Sequence, residues 1–292
     1  MNLCDLKTVK QIMSMFHLTF HKEFGQNFLT DRSVVEGISE ECCGNSDSSI
    51  LEIGPGIGTL TYELAQRHRR VIALEIDRGL IPVLGDTLAE FDNVTVHNQD
   101  VMEADLAELL APAFAEGPVS VCANLPYYIT TPILMKLLEC GLPFDYITIM
   151  IQSEVADRLC APAGGKEYGA ITAVLNYYGE AENLFTVPAD SFVPAPKVNS
   201  SVVRIRLHRE KPYRPHSETM LFRTIKAAFA QRRKTLSNSL TTGFSELSKE
   251  DIHAVIAACG HPADIRGERL DIAQFVALAD ALEEAIAARR NT

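Results

Sequence analysis

Three glycines, Gly54, Gly56 and Gly58, stand in the run Leu51-Glu52-Ile53-Gly54-Pro55-Gly56-Ile57-Gly58-Thr59, between a β-branched apolar stretch and an amphipathic one. Glycines at such a junction let a ligand approach the backbone closely where a helix begins. A nicotinamide-binding loop reads GxGxxG and sets the helix terminus against a pyrophosphate. Here the spacing is GxGxG, and an acid, Glu52, precedes it. A carboxylate at that place suits a cofactor that carries cations and no phosphate, as S-adenosylmethionine does through its sulfonium and ammonium groups. Glu75 closes the next apolar run, where an acid in doubly wound folds accepts ribose hydroxyls, with Ile76 beside it. Asp100, in His97-Asn98-Gln99-Asp100-Val101, is placed to accept from an adenine amine while the Val101 backbone N–H faces a ring nitrogen. Each acid alone also fits a solvated loop. Together, at successive carboxyl ends of strands, they mark the crevice where open α/β sheets bind ligands.

The next strand end carries Asn124-Leu125-Pro126-Tyr127. This resembles the [DNS]-P-P-[YF] motif of methyltransferases that modify exocyclic amines of adenine or cytosine. The residue types suit that chemistry. An aromatic amine has its lone pair delocalised into the ring, so acceptors on its hydrogens, here the Asn124 side-chain oxygen and the Pro126 carbonyl, favour sp³ character and aim the lone pair at a methyl carbon. Tyr127 can stack on the base. Rate then comes from positioning and polarisation, in keeping with the lack of an obvious His or Glu base beside the motif. Phe192, in Asp190-Ser191-Phe192-Val193-Pro194, fits either a core position or the opposite face of an extruded base.

The elements that must hold these residues are legible as alternation. Ser49 to Ile53, Val71 to Ile76, Val94 to His97, Val119 to Ala123 and Tyr146 to Ile151 read as strands buried on both faces, separated by helical segments such as 59–68, 78–90 and 131–140. This predicts right-handed βαβ crossovers and a doubly wound, Rossmann-like α/β sheet. Two further strands are expected at 182–187 and 200–207. From Ser217 onward every apolar pattern is helical, including a helix over 218–234, so a small all-helical C-terminal domain is expected at 211–292 after a first domain at 1–210.

The chain has 292 residues, 47% of them hydrophobic, enough for a full core in one or two domains. Seven cysteines without a CxxC pair predict buried thiols in a reducing, cytoplasmic compartment, with no metal site. No signal peptide or membrane span is expected. The net charge of −11 argues against nucleic acid as a partner, yet the charge is uneven. Between Arg204 and Lys234, ten Lys and Arg stand against two Glu, a local +8 that leaves −19 for the rest. Arg223, Lys226 and Arg233 recur at helical spacing, and with Arg232 and Lys234 they fit either a solvated helix face or a phosphate-docking surface.

Taken together, GQNFL at 25–29, LEIGPGIGTLT, ALEID, NQDVME, NLPYYITTPIL, IQSEVADRL, FVPAPKVNSSVVR and AAFAQRRKTLSNSL resemble the KsgA/RsmA family of rRNA adenine dimethyltransferases over nearly the whole chain. The resemblance implies a class I methyltransferase fold and cofactor contacts at Gln26, Asn27, Leu29, Gly54, Glu75, Asp100 and Asn124. It implies target-base contacts at Asn124, Leu125, Pro126, Tyr127 and Phe192, and it favours the basic segment as the RNA-docking surface. Without it, Gln26 and Asn27 read only as an N-cap before a helix over 31–41. The implied substrate is two adjacent adenosines in a hairpin loop near the 3′ end of small-subunit rRNA, each methylated twice, within a partly assembled small ribosomal subunit. Nothing calls for more than a monomer. His21-Lys22-Glu23 departs from the family, where many members carry a more basic pair and a small residue. Two alternatives remain: a large-subunit rRNA adenine methyltransferase of the resistance type, which FVPAPKV and the long C-terminal domain fit less well, and a non-catalytic assembly or transcription factor, against which Glu52, Glu75, Asp100 and NLPY argue.

Overall fold

In the computed structural model, residues 2–18, 27–42, 46–231 and 233–290 are described; Gln26, Arg232 and the 21–23 segment lie outside them. The β-branched runs form strands as their composition requires. The elements run α1 (Leu6–Met15), β1 (Phe28–Leu29), α2 (Arg32–Glu41), β2 (Ser49–Ile53), α3 (Thr59–Arg67), β3 (Arg70–Glu75), α4 (Ile81–Thr87), β4 (Val94–Asn98), α5 (Leu106–Glu116), β5 (Val119–Asn124), α6 (Thr130–Glu139), β6 (Tyr146–Gln152) and α7 (Ser153–Leu159). They continue with α8 (Ala170–Tyr178), β7 (Gly179–Val187), β8 (Phe192–Val193), β9 (Ser200–Leu207), α9 (Glu218–Phe229), α10 (Leu236–Gly243), α11 (Lys249–Ala258) and α12 (Ile272–Arg290).

Among the described residues seven strands form one sheet in the order β4-β3-β2-β5-β6-β9-β7. The β4–β3, β3–β2, β2–β5 and β5–β6 pairs are parallel, whereas β9 runs antiparallel to β6. The order reverses between β2 and β5, the switch point at whose carboxyl side such sheets open a crevice. All five residues of β2 are buried, as a central strand covered on both faces demands. The edge strand β4 is only partly buried, so its apolar run reports sheet membership rather than full enclosure.

The residues divide into two compact units, one of Met1–Ala156 with Ala181–Arg209 and one of Asp157–Glu180 with Glu210–Thr292. This corrects the linear division at 210. Residues 157–180 join the helical unit because α8 buries Ala173 and Tyr177, with Tyr168 just ahead of it, in a core shared with Leu221, Ile225, Phe244 and Phe275. Each such large side chain, fully buried, contributes about 1.5–3 kcal/mol.

The helix expected over 218–234 is also shorter. Ser217 caps α9 through its hydroxyl, which accepts from Met220 N at 3.2 Å, but α9 ends at Phe229. A turn follows, closed by Lys234 N donating to Gln231 O at 2.9 Å, and Thr235 caps the next helix. Arg233 and Lys234 therefore stand on an interhelix turn and not on the face of α9. Among the described residues no helix is long and apolar enough to cross a membrane.

Candidate active site

The glycine loop takes its shape from left-handed backbone: φ is +71° at Gly54, +62° at Gly56 and +89° at Gly58, a region that side-chain-bearing residues avoid. The three glycines do different work. A Cβ built on Gly54 would meet nothing within 4 Å, so that backbone faces open space. On Gly56 it would come within 3.2 Å of the Phe28 ring. Gly58, expected to bind cofactor, does not line the cavity at the sheet's carboxyl end. It starts α3, and a Cβ there would press on Thr87 Oγ1 at 3.1 Å and on Leu88 at 3.2 Å, so its role is close packing beneath the loop.

Glu75 organises the loop from the adjacent strand. Its Oε2 accepts from Gly56 N at 3.2 Å and its Oε1 from Asp77 N at 2.8 Å, leaving each oxygen a further lone pair for a ligand hydroxyl. Burial pushes its carboxyl up to about 7. Glu52 is more extreme: it is 1% exposed, its Oε2 has no hydrogen-bond partner, and burial, opposed by the nearby Thr61 hydroxyl and aided by the Glu75 charge, pushes its carboxyl up to about 8. A buried, unpartnered carboxylate oxygen lining a cavity is expensive unless a ligand supplies the donor. Together with the open face of Gly54, it matches a cationic group lying along the loop. On the next strand, Asp100 turns the chain by accepting from Met102 N through Oδ1 at 2.8 Å, with Val101 buried behind it.

The cavity brings together Asn27, Phe28, Leu29, Glu52, Gly54, Gly56, Glu75, Ile76, Gln99, Asp100, Val101, Asn124, Leu125, Pro126, Tyr127, Tyr128 and Phe192 among its lining residues. Asn124 ends β5 and donates through Nδ2 to Asn27 O at 3.4 Å, which turns its Oδ1 the other way. Tyr127 is half-buried, and its hydroxyl shares a hydrogen bond of 2.8 Å with Ser200 Oγ, while burial raises its pKa. Pro126 departs from the expectation. Its carbonyl already accepts from Ile129 N at 3.2 Å and Thr130 Oγ1 at 3.1 Å, both within the turn that starts α6. No such bond falls on the Leu125 carbonyl among the described residues.

Asn27 does not cap α2; Asp31 does, accepting from Ser33 N at 3.0 Å. Residues 27–29 reach the site because β1 pairs with β8, setting Leu29 opposite Phe192 and Phe28 opposite Val193. Phe192, 3% exposed, is therefore both a core residue and part of the cavity wall. Sequence reasoning missed Tyr128, which is 62% exposed on the cavity rim; a second aromatic directly after the motif was the available signal.

In the helical unit Arg223 is not free for phosphate. Its guanidinium donates to both carboxylate oxygens of Glu246, at 2.9 and 2.8 Å, and to Gly243 O at 2.9 Å, and lies 4.2 Å from the centre of the Phe244 ring. Lys226, Arg233 and Lys234 are exposed.

A family model described as ribosomal RNA adenine dimethylase matches residues 17–268. The ribosomal RNA small subunit methyltransferase A of Lachnoclostridium phytofermentans is 44% identical over 284 residues, covering 97% of this chain and 98% of that one. The protein of the same name in Geobacillus kaustophilus is 45% identical over 276 residues, 94% of each chain. Among solved structures, a dimethyladenosine transferase from Plasmodium falciparum superposes with a TM-score of 0.72 at 22% identity, covering 86% of this chain and 95% of that one. The 23S rRNA methyltransferase ErmE gives 0.67 at 26% identity, covering 88% and 100%. The motif resemblance, the fold and the full-length relatives thus agree, and the chain belongs to the ribosomal RNA adenine dimethylase family.

Proposed function

We propose that this methyltransferase dimethylates the exocyclic amines of two adjacent adenosines in small-subunit rRNA, acting as a monomer on a partly assembled small subunit in the cytoplasm. The observation that carries the reading is the convergence in one cavity of the Asn124-to-Tyr127 turn with three acids, Glu52, Glu75 and Asp100, at neighbouring strand ends. S-adenosylmethionine, when bound, supplies the methyl group. Glu52 and the open backbone of Gly54 would hold its cationic end, Glu75 its ribose hydroxyls, and Asp100 with the Val101 N–H its adenine edge, with Ile76, Asn27 and Leu29 completing the walls.

The chain's own contribution to the transfer is to position and polarise the target amine. Asn124 Oδ1 and the Leu125 carbonyl accept its two hydrogens, drawing the nitrogen lone pair out of conjugation. Tyr127, held by Ser200, stacks on the base, and Phe192 closes the other side. No residue is asked to act as a strong base, because the proton becomes acidic once the nitrogen is alkylated.

The test is to incubate the protein with labelled S-adenosylmethionine and undermethylated small subunits and then digest the RNA to nucleosides. Dimethyladenosine in small-subunit rRNA is expected. Product confined to large-subunit rRNA would favour the resistance-type activity, and no transfer would leave a non-catalytic assembly role.

A further inference from the structure

The loop that carries Asp100 is held from outside by a lysine on another element. Asp100 begins a tight turn in which its Oδ1 accepts from Met102 N at 2.8 Å and its carbonyl accepts from Glu103 N at 3.0 Å and Ala104 N at 2.9 Å. The turn's own carbonyls at Met102 and Ala104 both accept from Lys136 Nζ, at 2.8 Å each. Lys136 is partly buried and forms no ion pair among the described residues. Its charge is spent on two dipoles of a single loop, an arrangement stronger than a neutral hydrogen bond and one that a shorter or uncharged side chain cannot reproduce.

The same helix reaches the other half of the site. Lys136 lies in the last turn of α6, whose first residue, Thr130, donates to the Pro126 carbonyl in the motif turn. One rigid helix thus carries the turn that presents Asn124 and Tyr127 at one end and clamps the Asp100 loop at the other.

We propose that Lys136 is a positioning residue that sets Asp100 and the Val101 N–H against the purine edge of the cofactor and so makes the site selective for a 6-aminopurine. This rests on the cofactor assignment above. Lys136 bonds to the Asp100 loop and makes no hydrogen bond to Glu52, Gly54 or Glu75 among the described residues, so its loss should act on recognition of the purine edge and leave the rest of the cofactor's binding in place.

Calorimetric binding of S-adenosylhomocysteine and S-inosylhomocysteine, which differ at the purine 6-position, tests it on the whole chain. Lys136→Met should weaken the adenosyl ligand about tenfold while leaving the inosyl ligand within about twofold, and Lys136→Arg should retain most of the wild-type preference. A merely structural lysine would lower the melting temperature and weaken both ligands alike, which would overturn the proposal. If Lys136→Met does not fold, Lys136→Gln, which keeps one neutral donor, should show an intermediate preference; an unchanged preference would count against the proposal equally. Asp100→Ala separates the two levels. If it abolishes the preference and the Lys136 variants do not, only the lysine's role fails, whereas a preference that survives Asp100→Ala overturns the adenine-edge assignment and this inference with it.

Discussion

Asn124 donates one amide hydrogen to the Asn27 carbonyl at 3.4 Å, an orientation that presents its Oδ1 as the acceptor for the proposed target amine. Asn124→Ala should therefore abolish transfer to the target amine and leave S-adenosylmethionine affinity within a few-fold, as read by single-turnover rates beside calorimetry. Equal losses in rate and affinity would contradict the assigned role. Glu52 leads to a pH prediction. Its folded carboxyl, pushed up to about 8 from an ordinary 4.5, favours the protonated form in the cofactor-free chain, whereas a cationic ligand favours the carboxylate. Binding must then release protons, so affinity should rise from pH 6 to pH 8 and level off above. The same shift makes the cofactor-free fold lose stability as pH climbs through that range. Glu52→Gln should flatten the part of each curve above about pH 7, while Glu75, its own carboxyl raised to about 7 by burial, keeps the part below, and a wild-type affinity independent of pH would refute the assignment. These acids were readable in the sequence because each ends an apolar run. The occupied state of the Pro126 carbonyl was not, since its bonds to Ile129 N and Thr130 Oγ1 lie inside a turn that no residue type announces.

At the scale of elements, four of the five parallel strands were legible because burial on both faces leaves a continuous apolar run, whereas the edge strand β4, only partly buried, was legible through its β-branched residues Val94, Thr95 and Val96. The pairing of β1 with β8 was not. Two residues per strand carry no periodicity, yet this pairing delivers Asn27, Leu29 and Phe192 to the cavity, a placement for which only the family resemblance prepared. The break between α9 and α10 was hidden for another reason: Gln231 to Lys234 are acceptable helix formers, and the end is set by the Thr235 cap and by close packing. A Cβ on Gly243 would lie 2.5 Å from that of Ala227, so the two helices approach more closely there than any other residue allows. Arg223 locks the same junction. Arg223→Ala should cost about 1–2 kcal/mol, the sum of a cation–π contact and a partly exposed bidentate ion pair. The Glu246 carboxyl, held down at about 2 by Arg223, gives the sign with pH. The ion-pair part of the loss is present above about pH 4.5 and fades as the pH falls toward 2, which thermal melts at pH 3 and pH 7 would show.

For the molecule as a whole, the charge of −11 resolves differently once the units are known. The unit containing the cavity holds 13 Lys and Arg against 24 Asp and Glu, hence −11, and the helical unit holds 14 against 14, hence zero. The local +8 between Arg204 and Lys234 is also partly cancelled by ion pairs: Arg204 with Glu41 and Glu182, Arg209 with Asp145, Lys211 with Glu218, and Arg223 with Glu246. Lys226, Arg233 and Lys234 are exposed and hold no ion pair among the described residues. An acidic unit repels phosphate, so the proposed RNA docking draws on basic groups left uncompensated, here Lys226, Arg233 and Lys234. Reversing Lys226, Arg233 and Lys234 to Glu should weaken binding to small subunits and reduce the slope of log Kd against log salt by about two to three, near one for each phosphate no longer neutralised. Arg223→Ala, which breaks an internal pair, should lower the melting temperature and leave that slope in place. If the triple reversal leaves the slope unchanged while Arg223→Ala reduces it, the docking surface includes Arg223 itself and excludes both Lys226 on α9 and the turn beyond Phe229.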